Sequence, residues 1–346
     1  MLLFHNDYNQ VCHPRILERI QNLIGQQMPG YGVDPVCSAA ADLIRKECGV
    51  RDLAVHFLVG GTQTNLTVIA AALRPHQAVI GVASAHINVH ETGAVEATGH
   101  KVIELPSADG KITVDQINSV YIAQSRSPDA EHIAQPKMVY ISNPTELGTT
   151  YKLAELKEIS EYCHLHGLYL FVDGARLGYG LAADDNDITL KDYARLCDAF
   201  YIGGTKVGAM FGEAVVIPNA YIAEDFRYLI KQRGGMLAKG WLLGVQFQTL
   251  FEDGLYYEIS AHAVRLADKI RDTLRRCGYP LYVDGTTNQI FVSLPDMLLK
   301  QLDSNFTYAP WEKVADTHTV VRFCTSWATE ENSVRALCAA IEGFIS

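Results

Sequence analysis

Two residues of this 346-residue chain carry chemistry that a folded core does not need: Asp173, in FVDGARLGYG, and Lys206, in FYIGGTKVGAMFG. Each follows an apolar run that reads as a buried strand, residues 168–172 before the aspartate and 199–202 before the lysine. A carboxylate and an amine at the ends of neighbouring buried strands are costly to keep unless something uses them. In an open α/β sheet the carboxyl ends of strands are where ligands sit. The simplest use for the pair is pyridoxal 5′-phosphate (PLP), with Lys206 as Schiff-base partner and Asp173 as partner of the pyridinium nitrogen. Gly203, Gly204 and Gly208 flank the lysine and would let a bulky planar group approach. Arg176 lies three residues past Asp173, and a plain ion pair between the two, fastening a loop, is the alternative reading for that end.

Other segments supply what such a site would require. In LVGGTQTNLTVIAAAL, Gly60 and Gly61 precede Thr62 at the start of a helical pattern. First-turn N–H groups and the helix dipole would hold an anion there; a plain strand–helix turn capped by threonine fits the same text. His86, in SAHINVHETG, falls at a strand end, where its ring could stack on a planar cofactor. His86 and His90 are spaced for one helix face, but no third metal ligand accompanies them and the pattern is not H-E-x-x-H. Glu91 reads either as a helix-start carboxylate or as an acid near the reacting group. Arg322 sits in the otherwise apolar run TVVRFCT, where it needs a carboxylate from the protein or from a substrate.

The elements that must position these residues follow a regular alternation. Short apolar runs at 53–58, 78–83, 101–105, 137–142, 168–172, 199–202 and 214–217 read as strands, with helical patterns at 62–73, 89–98 and 152–166 between them. This predicts an α/β fold with a mostly parallel central sheet covered on both faces. After residue 226 the text turns helical to about residue 276. The last seventy or so residues read as α+β, with strands at 282, 289–294 and 320–324 and a closing helix from 330. The length favours two domains, divided here as 1–250, carrying the site and the N-terminal segment, and a smaller C-terminal domain, 251–346. Residues 124–136 read as a polar loop insertion.

Composition bounds the partners. A net charge of −10 argues against nucleic acid or an anionic membrane surface. No apolar stretch is long enough to span a bilayer, and MLLFHNDYNQ does not read as a signal peptide. Eight scattered cysteines show no ligand spacing and suit a reducing compartment. The expectation is a cytoplasmic protein.

Together these motifs resemble the low-specificity L-threonine aldolases, within the PLP-dependent enzymes of fold type I and the β-eliminating lyase group. The resemblance runs from HNDYN near the start to VRFCTSWATEE near the end, and is most specific in DGARLGYGL, the His86-to-Glu91 segment and the Gly-Thr-x-x-Asn turn. It implies Lys206 bonded to the cofactor, Asp173 on the ring nitrogen, Arg176 near the ring 3-oxygen and His86 stacked on the ring. It implies the phosphate at Gly60, Gly61 and Thr62, and the substrate carboxylate at Arg322 with Asn6. His86, His90 or a water held by Glu91 would take the β-hydroxyl proton during cleavage to glycine and an aldehyde. A homodimer or homotetramer with shared sites also follows from the resemblance, with the glycine-rich stretch KQRGGMLAKG at the interface. The alternatives are β-elimination from another amino acid and a non-catalytic PLP-binding protein. The chain departs from the family at Asn6-Asp7 (for Ser-Asp), His90 (for Tyr), the text after Lys206, Leu237 (for an Arg) and Ser326-Trp327 (for His-x-Asp).

Overall fold

A computed structural model describes residues 1–344; residues 345 and 346, the last of the expected C-terminal domain, lie outside it. A seven-stranded sheet forms the centre. Its strands are β1 (Ala54–Leu58), β2 (Gln77–Val82), β3 (Lys101–Leu105), β4 (Gln135–Ser142), β5 (Tyr169–Asp173), β6 (Ala199–Gly203) and β7 (Glu213–Ile217), in the spatial order β1-β7-β6-β5-β4-β2-β3. Only β7 runs antiparallel to its neighbours. Each of the seven apolar runs in the sequence is a strand to within two residues. β2, β6 and β7 are buried along their whole length, as strands covered on both faces must be.

A second sheet of four antiparallel strands follows: β8 (Leu281–Val283), β9 (Gln289–Pro295), β10 (Ala309–Ala315) and β11 (His318–Cys324), in the order β10-β11-β9-β8. It packs with the helix Glu331–Glu342 around a separate apolar core. The two cores divide along one 22-residue helix, Leu255–Arg276. Its first half, through Tyr256, Ile259 and Val264, joins the large core, and its second half, through Leu266, Ile270 and Leu274, joins the small one. Leu2–Leu3 pairs with Phe306–Thr307 and Phe4 enters the small core, so the chain's first residues belong to the C-terminal layer.

Three local readings of the sequence need correcting. The helix expected over 89–98 is one short turn, His86–Val89; positive φ at Thr92 and Gly93 then breaks the chain direction before a 3-10 turn at Glu96–Thr98. The insertion at 124–136 is mostly the tail of the helix Val114–Ser125, a 3-10 turn and the start of β4. β10, Ala309–Ala315, was hidden because an edge strand exposed along most of its length, carrying Pro310 and charge, has no apolar periodicity. Among the described residues no helix is long and apolar enough to cross a membrane.

Candidate active site

The carboxyl ends of β1, β4, β5 and β6 meet at the point where the strand order switches, β4 having β5 on one side and β2 on the other. That is the crevice an open α/β sheet offers a ligand. Glycines bring the ends of β5 and β6 together. A Cβ on Gly174 would lie 1.9 Å from the Tyr201 carbonyl oxygen, and one on Gly203 would lie 2.2 Å from that of Ala175. Gly204 is likewise hemmed in by the Gly212 carbonyl and the Phe247 ring. The glycines before Lys206 thus serve the protein's own backbone contacts, a different reason from the ligand approach expected of them.

The result is a cavity of about 290 Å³ lined by Gly60, Gly61, Thr62, His86, Asp173 and Lys206, with Tyr8, Ser142, Glu146, Arg176, Thr205 and Glu213 among the other walls. Six residues read from sequence as one site are therefore brought together, and Arg176 joins them. Asp173 is 4% exposed and accepts four hydrogen bonds. Tyr140 Oη (2.5 Å) and Asn65 Nδ2 (3.2 Å) donate to Oδ2; Tyr201 Oη (2.5 Å) and the Ala175 amide (2.9 Å) donate to Oδ1. Burial and the Asp173 charge push both tyrosines well above the usual phenol range, so they remain donors. Burial, then the Arg176 charge, lowers the Lys206 amine, against the pull of Asp7, Asp173 and Glu213. A lysine so placed yields its proton more readily and becomes a nucleophile.

Arg176 takes a different partner from the one its sequence position suggested. Its Nε and Nη2 bind Asp7 at 2.6 and 3.0 Å, a two-point pair that ties the N-terminal segment to the end of β5. Burial alone would raise the Asp7 carboxyl, but Arg176, Lys206 and the Asn288 amide bring it down to about 2. Only Nη1 of Arg176 is outside the pair. Asn6, next to Asp7, is spent on a local turn, its Oδ1 accepting the Tyr8 amide; Tyr8 reaches the cavity instead.

His86 is fixed from behind. Its Nδ1–H donates to Glu91 Oε1 at 2.8 Å, and Asn65 Nδ2 donates to the same oxygen at 2.7 Å, linking His86 to Asp173 through Asn65. The His86 amide and the Ser142 hydroxyl both donate to Glu146 Oε1, at 3.0 and 2.6 Å. The His86 and His90 rings lie 5.5 Å apart. Arg322 donates to the His5 carbonyl and Gln289 Oε1, leaves its buried Nε without a partner, and is in no ion pair among the described residues. Leu237 lies away from this cavity, on the wall of another.

Sequence reasoning missed Asp7, Asn65, Tyr140, Glu146, Tyr201 and Glu213. The tyrosines sit in buried strands where an aromatic raises no question, and Asn65 looked like part of a cap. Glu213 did carry a signal: a lone acid opening an apolar strand.

The donor set fits PLP. The first-turn amides at Gly60–Thr62 face one end, a Cβ on Gly60 would meet nothing within 4 Å, and Gly61 leaves room beside the Tyr201 hydroxyl. A buried amine and a clamped carboxylate line the remainder, and Glu91 Oε2 and Glu146 Oε2 are buried without partners.

The architecture is that of the fold type I PLP enzymes: aspartate aminotransferase of Thermus thermophilus superposes with a TM-score of 0.74 at 15% identity, over 100% of this chain and 91% of that one, a likeness of fold alone. A profile of the beta-eliminating lyase family matches residues 19–296, and the chain belongs to that family. The low specificity L-threonine aldolase of Pseudomonas sp. (strain NCIMB 10558) is 30% identical over 99% of this chain and 97% of its own length. That of Saccharomyces cerevisiae is 27% identical over 80% and 71%. A structure of Leishmania major threonine aldolase superposes with a TM-score of 0.98 at 45% identity, covering 100% of both chains.

Proposed function

We propose that this chain is a PLP-dependent carbon–carbon lyase, an aldehyde-lyase that cleaves L-threonine, L-allo-threonine or a related β-hydroxy-α-amino acid to glycine and an aldehyde. The observation that carries the reading is the buried Lys206 amine opening on the same cavity as Asp173; the names of the relatives point to the same reaction.

When bound, the cofactor supplies an electron-accepting ring for the electrons of the breaking Cα–Cβ bond. The chain's own residues bind, orient and move protons. Lys206 presents the amine that holds the cofactor. Asp173, on which four donors converge, faces the ring nitrogen with its carboxylate, and Gly60, Gly61 and Thr62 supply amide donors for the phosphate. Glu91 fixes the His86 ring so that its face is available for stacking. Arg322 supplies the cation for the substrate carboxylate, with its Nε unpartnered and its Nη groups holding Gln289 and the His5 carbonyl next to Asn6. His90 accepts the β-hydroxyl proton. Burial, then the charges of His86, Arg322 and Lys206, lower its pKa, which keeps it neutral and able to accept a proton at neutral pH.

Arg322→Lys is expected to raise KM for the amino acid by about 10-fold or more, because a point charge replaces a two-pronged donor. The measurement is KM against kcat, and an unchanged KM would remove Arg322 from carboxylate binding. The reaction itself is tested by its products: glycine with an aldehyde supports the aldolase reading, while pyruvate with ammonia from a sulfur or aromatic amino acid assigns β-elimination instead.

The active form in this reading is a homodimer or homotetramer with shared sites, in the cytoplasm. Exposed Tyr8, Val11, Ile24, Tyr31, Val33 and Tyr228 support an interface on the N-terminal side, where the cavity also opens past Tyr8. Leu237, remote from this chain's own cavity, and its neighbour Lys239 would face a second copy. Eight unpaired cysteines agree with a reducing compartment.

A further inference from the structure

One wall of the cavity holds an acid to which the proposed reaction gives no task. Glu213 opens β7, is 4% exposed, and lies opposite Gly203 in β6 and Leu58 in β1. It therefore sits between the two loops that close the phosphate end, 59–62 after β1 and 204–206 after β6. The Gly204 amide donates to its Oε2 at 2.9 Å, and the next residue, Thr205, accepts the Gly212 amide on its hydroxyl at 3.0 Å. Its side chain shares the cavity wall with Gly60, Gly61, Thr62, Thr205 and Lys206. An anion cradle with a carboxylate built into it works against itself unless the carboxylate is neutralised.

Building on the cofactor reading above, we propose that Glu213 is the proton acceptor of the phosphate cradle: docking of a phosphate dianion at Gly60, Gly61, Thr62 and Thr205 is accompanied by uptake of one solvent proton on the Glu213 carboxylate. The wall then offers the anion a hydroxyl in place of a second negative charge. One O–H bond forms on Glu213 as one breaks on hydronium or the buffer acid, and no electrons change hands.

The surroundings suit the role. Burial pushes the Glu213 carboxyl up to about 7, and Asp173 pushes the same way, against Thr205, the Gly204 amide and Lys206. The facing ionisable groups are few. Lys206 lies on the connecting loop, Tyr201 on β6, Asp173 on β5 and Tyr256 on the long helix; both tyrosines are held neutral by burial. Arg176 and Asp7, behind Lys206, compensate each other. The β1 side brings only Leu58, Val59, Gly60, Gly61 and Thr62, none of which ionises. Lys206 is then the one cation close enough to hold Glu213 as an anion, and it is the residue that PLP engages.

Below about pH 7 the acid already carries its proton and phosphate docks without further uptake. Above it, each docking event must bring a proton, so affinity falls by up to about tenfold per pH unit. The phosphate's own second ionisation, near pH 6, lies below this window.

The test compares PLP with pyridoxal, which lacks the phosphate, titrated by absorbance into the full-length protein freed of cofactor between pH 7 and 9. In the wild-type protein the affinity advantage of PLP over pyridoxal is expected to shrink by about tenfold or more across that range, and in Glu213→Gln to stay level. The glutamine keeps an acceptor for the Gly204 amide. Calorimetry of the wild type at pH 8, in two buffers of different ionisation enthalpy, is expected to show about one more proton taken up with PLP than with pyridoxal. Equal slopes in the two proteins, or no extra proton, would overturn the role of Glu213 while leaving PLP binding intact. A wild-type protein that forms no chromophore with either aldehyde would overturn the cofactor reading as well.

Discussion

Lys206→Ala protein is expected to show no visible absorbance after incubation with PLP and to lose on the order of 10⁴-fold or more in turnover of any β-hydroxy-α-amino acid. Among the described residues Lys206 is the only lysine lining the cavity, and its amine is lowered by burial and by Arg176, so no neighbouring amine stands ready to replace it. The loss differs in kind from that of a structural lysine. Among the described residues nothing accepts a hydrogen bond from the Lys206 amine, while its backbone carbonyl takes the Tyr179 hydroxyl, a contact that alanine retains. The variant should therefore fold with an unchanged urea midpoint. A Lys206→Ala protein with normal absorbance and activity would end the PLP-lyase assignment. One that unfolded would instead show the lysine to be structural.

Asp173→Asn is expected to keep bound chromophore and to lose about 100- to 1,000-fold in turnover, the scale seen when one preorganised charge partner is removed. The carboxylate accepts two donors on each oxygen, from Tyr140 and Asn65 on one side and Tyr201 and the Ala175 amide on the other. A carboxamide has one acceptor oxygen, so its NH₂ must point at one of these donor pairs. That mismatch is worth about 1–3 kcal/mol of stability, read as a lower urea midpoint with unchanged slope. In the proposed reading the catalytic loss has a separate cause: the carboxylate that would face the ring nitrogen is gone. Measuring kcat well below the unfolding midpoint separates the two, and an unchanged kcat would show that Asp173 serves the fold alone.

Much of this was legible from the chain's text. All seven strands of the central sheet were legible as short apolar runs: β2, β6 and β7 because strands buried along their whole length must be largely apolar, and the edge strand β3 although it keeps Lys101 and Glu104 exposed. Asp173 and Lys206 were conspicuous because they end those runs. His86 and the Gly60–Thr62 turn followed from strand ends and helix starts, which are local features. What stayed hidden depended on long-range contact. Asp7 is 169 residues from Arg176, and nothing near either residue marks them as partners. Tyr140 and Tyr201 read as core aromatics because the acceptor of their hydroxyls comes from another strand. The Thr92–Gly93 break escaped notice because a single glycine does not by itself end a helical pattern, whereas the backbone at both residues turns left-handed.

The opening pair marks the division between the two kinds of information. The sequence by itself determined that a carboxylate and an amine end neighbouring buried strands, since hydrophobic runs declare their own burial and a charge at their end has to be used. Only the tertiary structure decided how those charges are held. Four donors from three other segments and the end of its own strand converge on Asp173, Asp7 claims Arg176, and Glu213 comes from the antiparallel strand of the central sheet to stand in the cavity wall beside Lys206. Hydrogen-bond partners are chosen by strand order and register, and those are set when the whole chain packs.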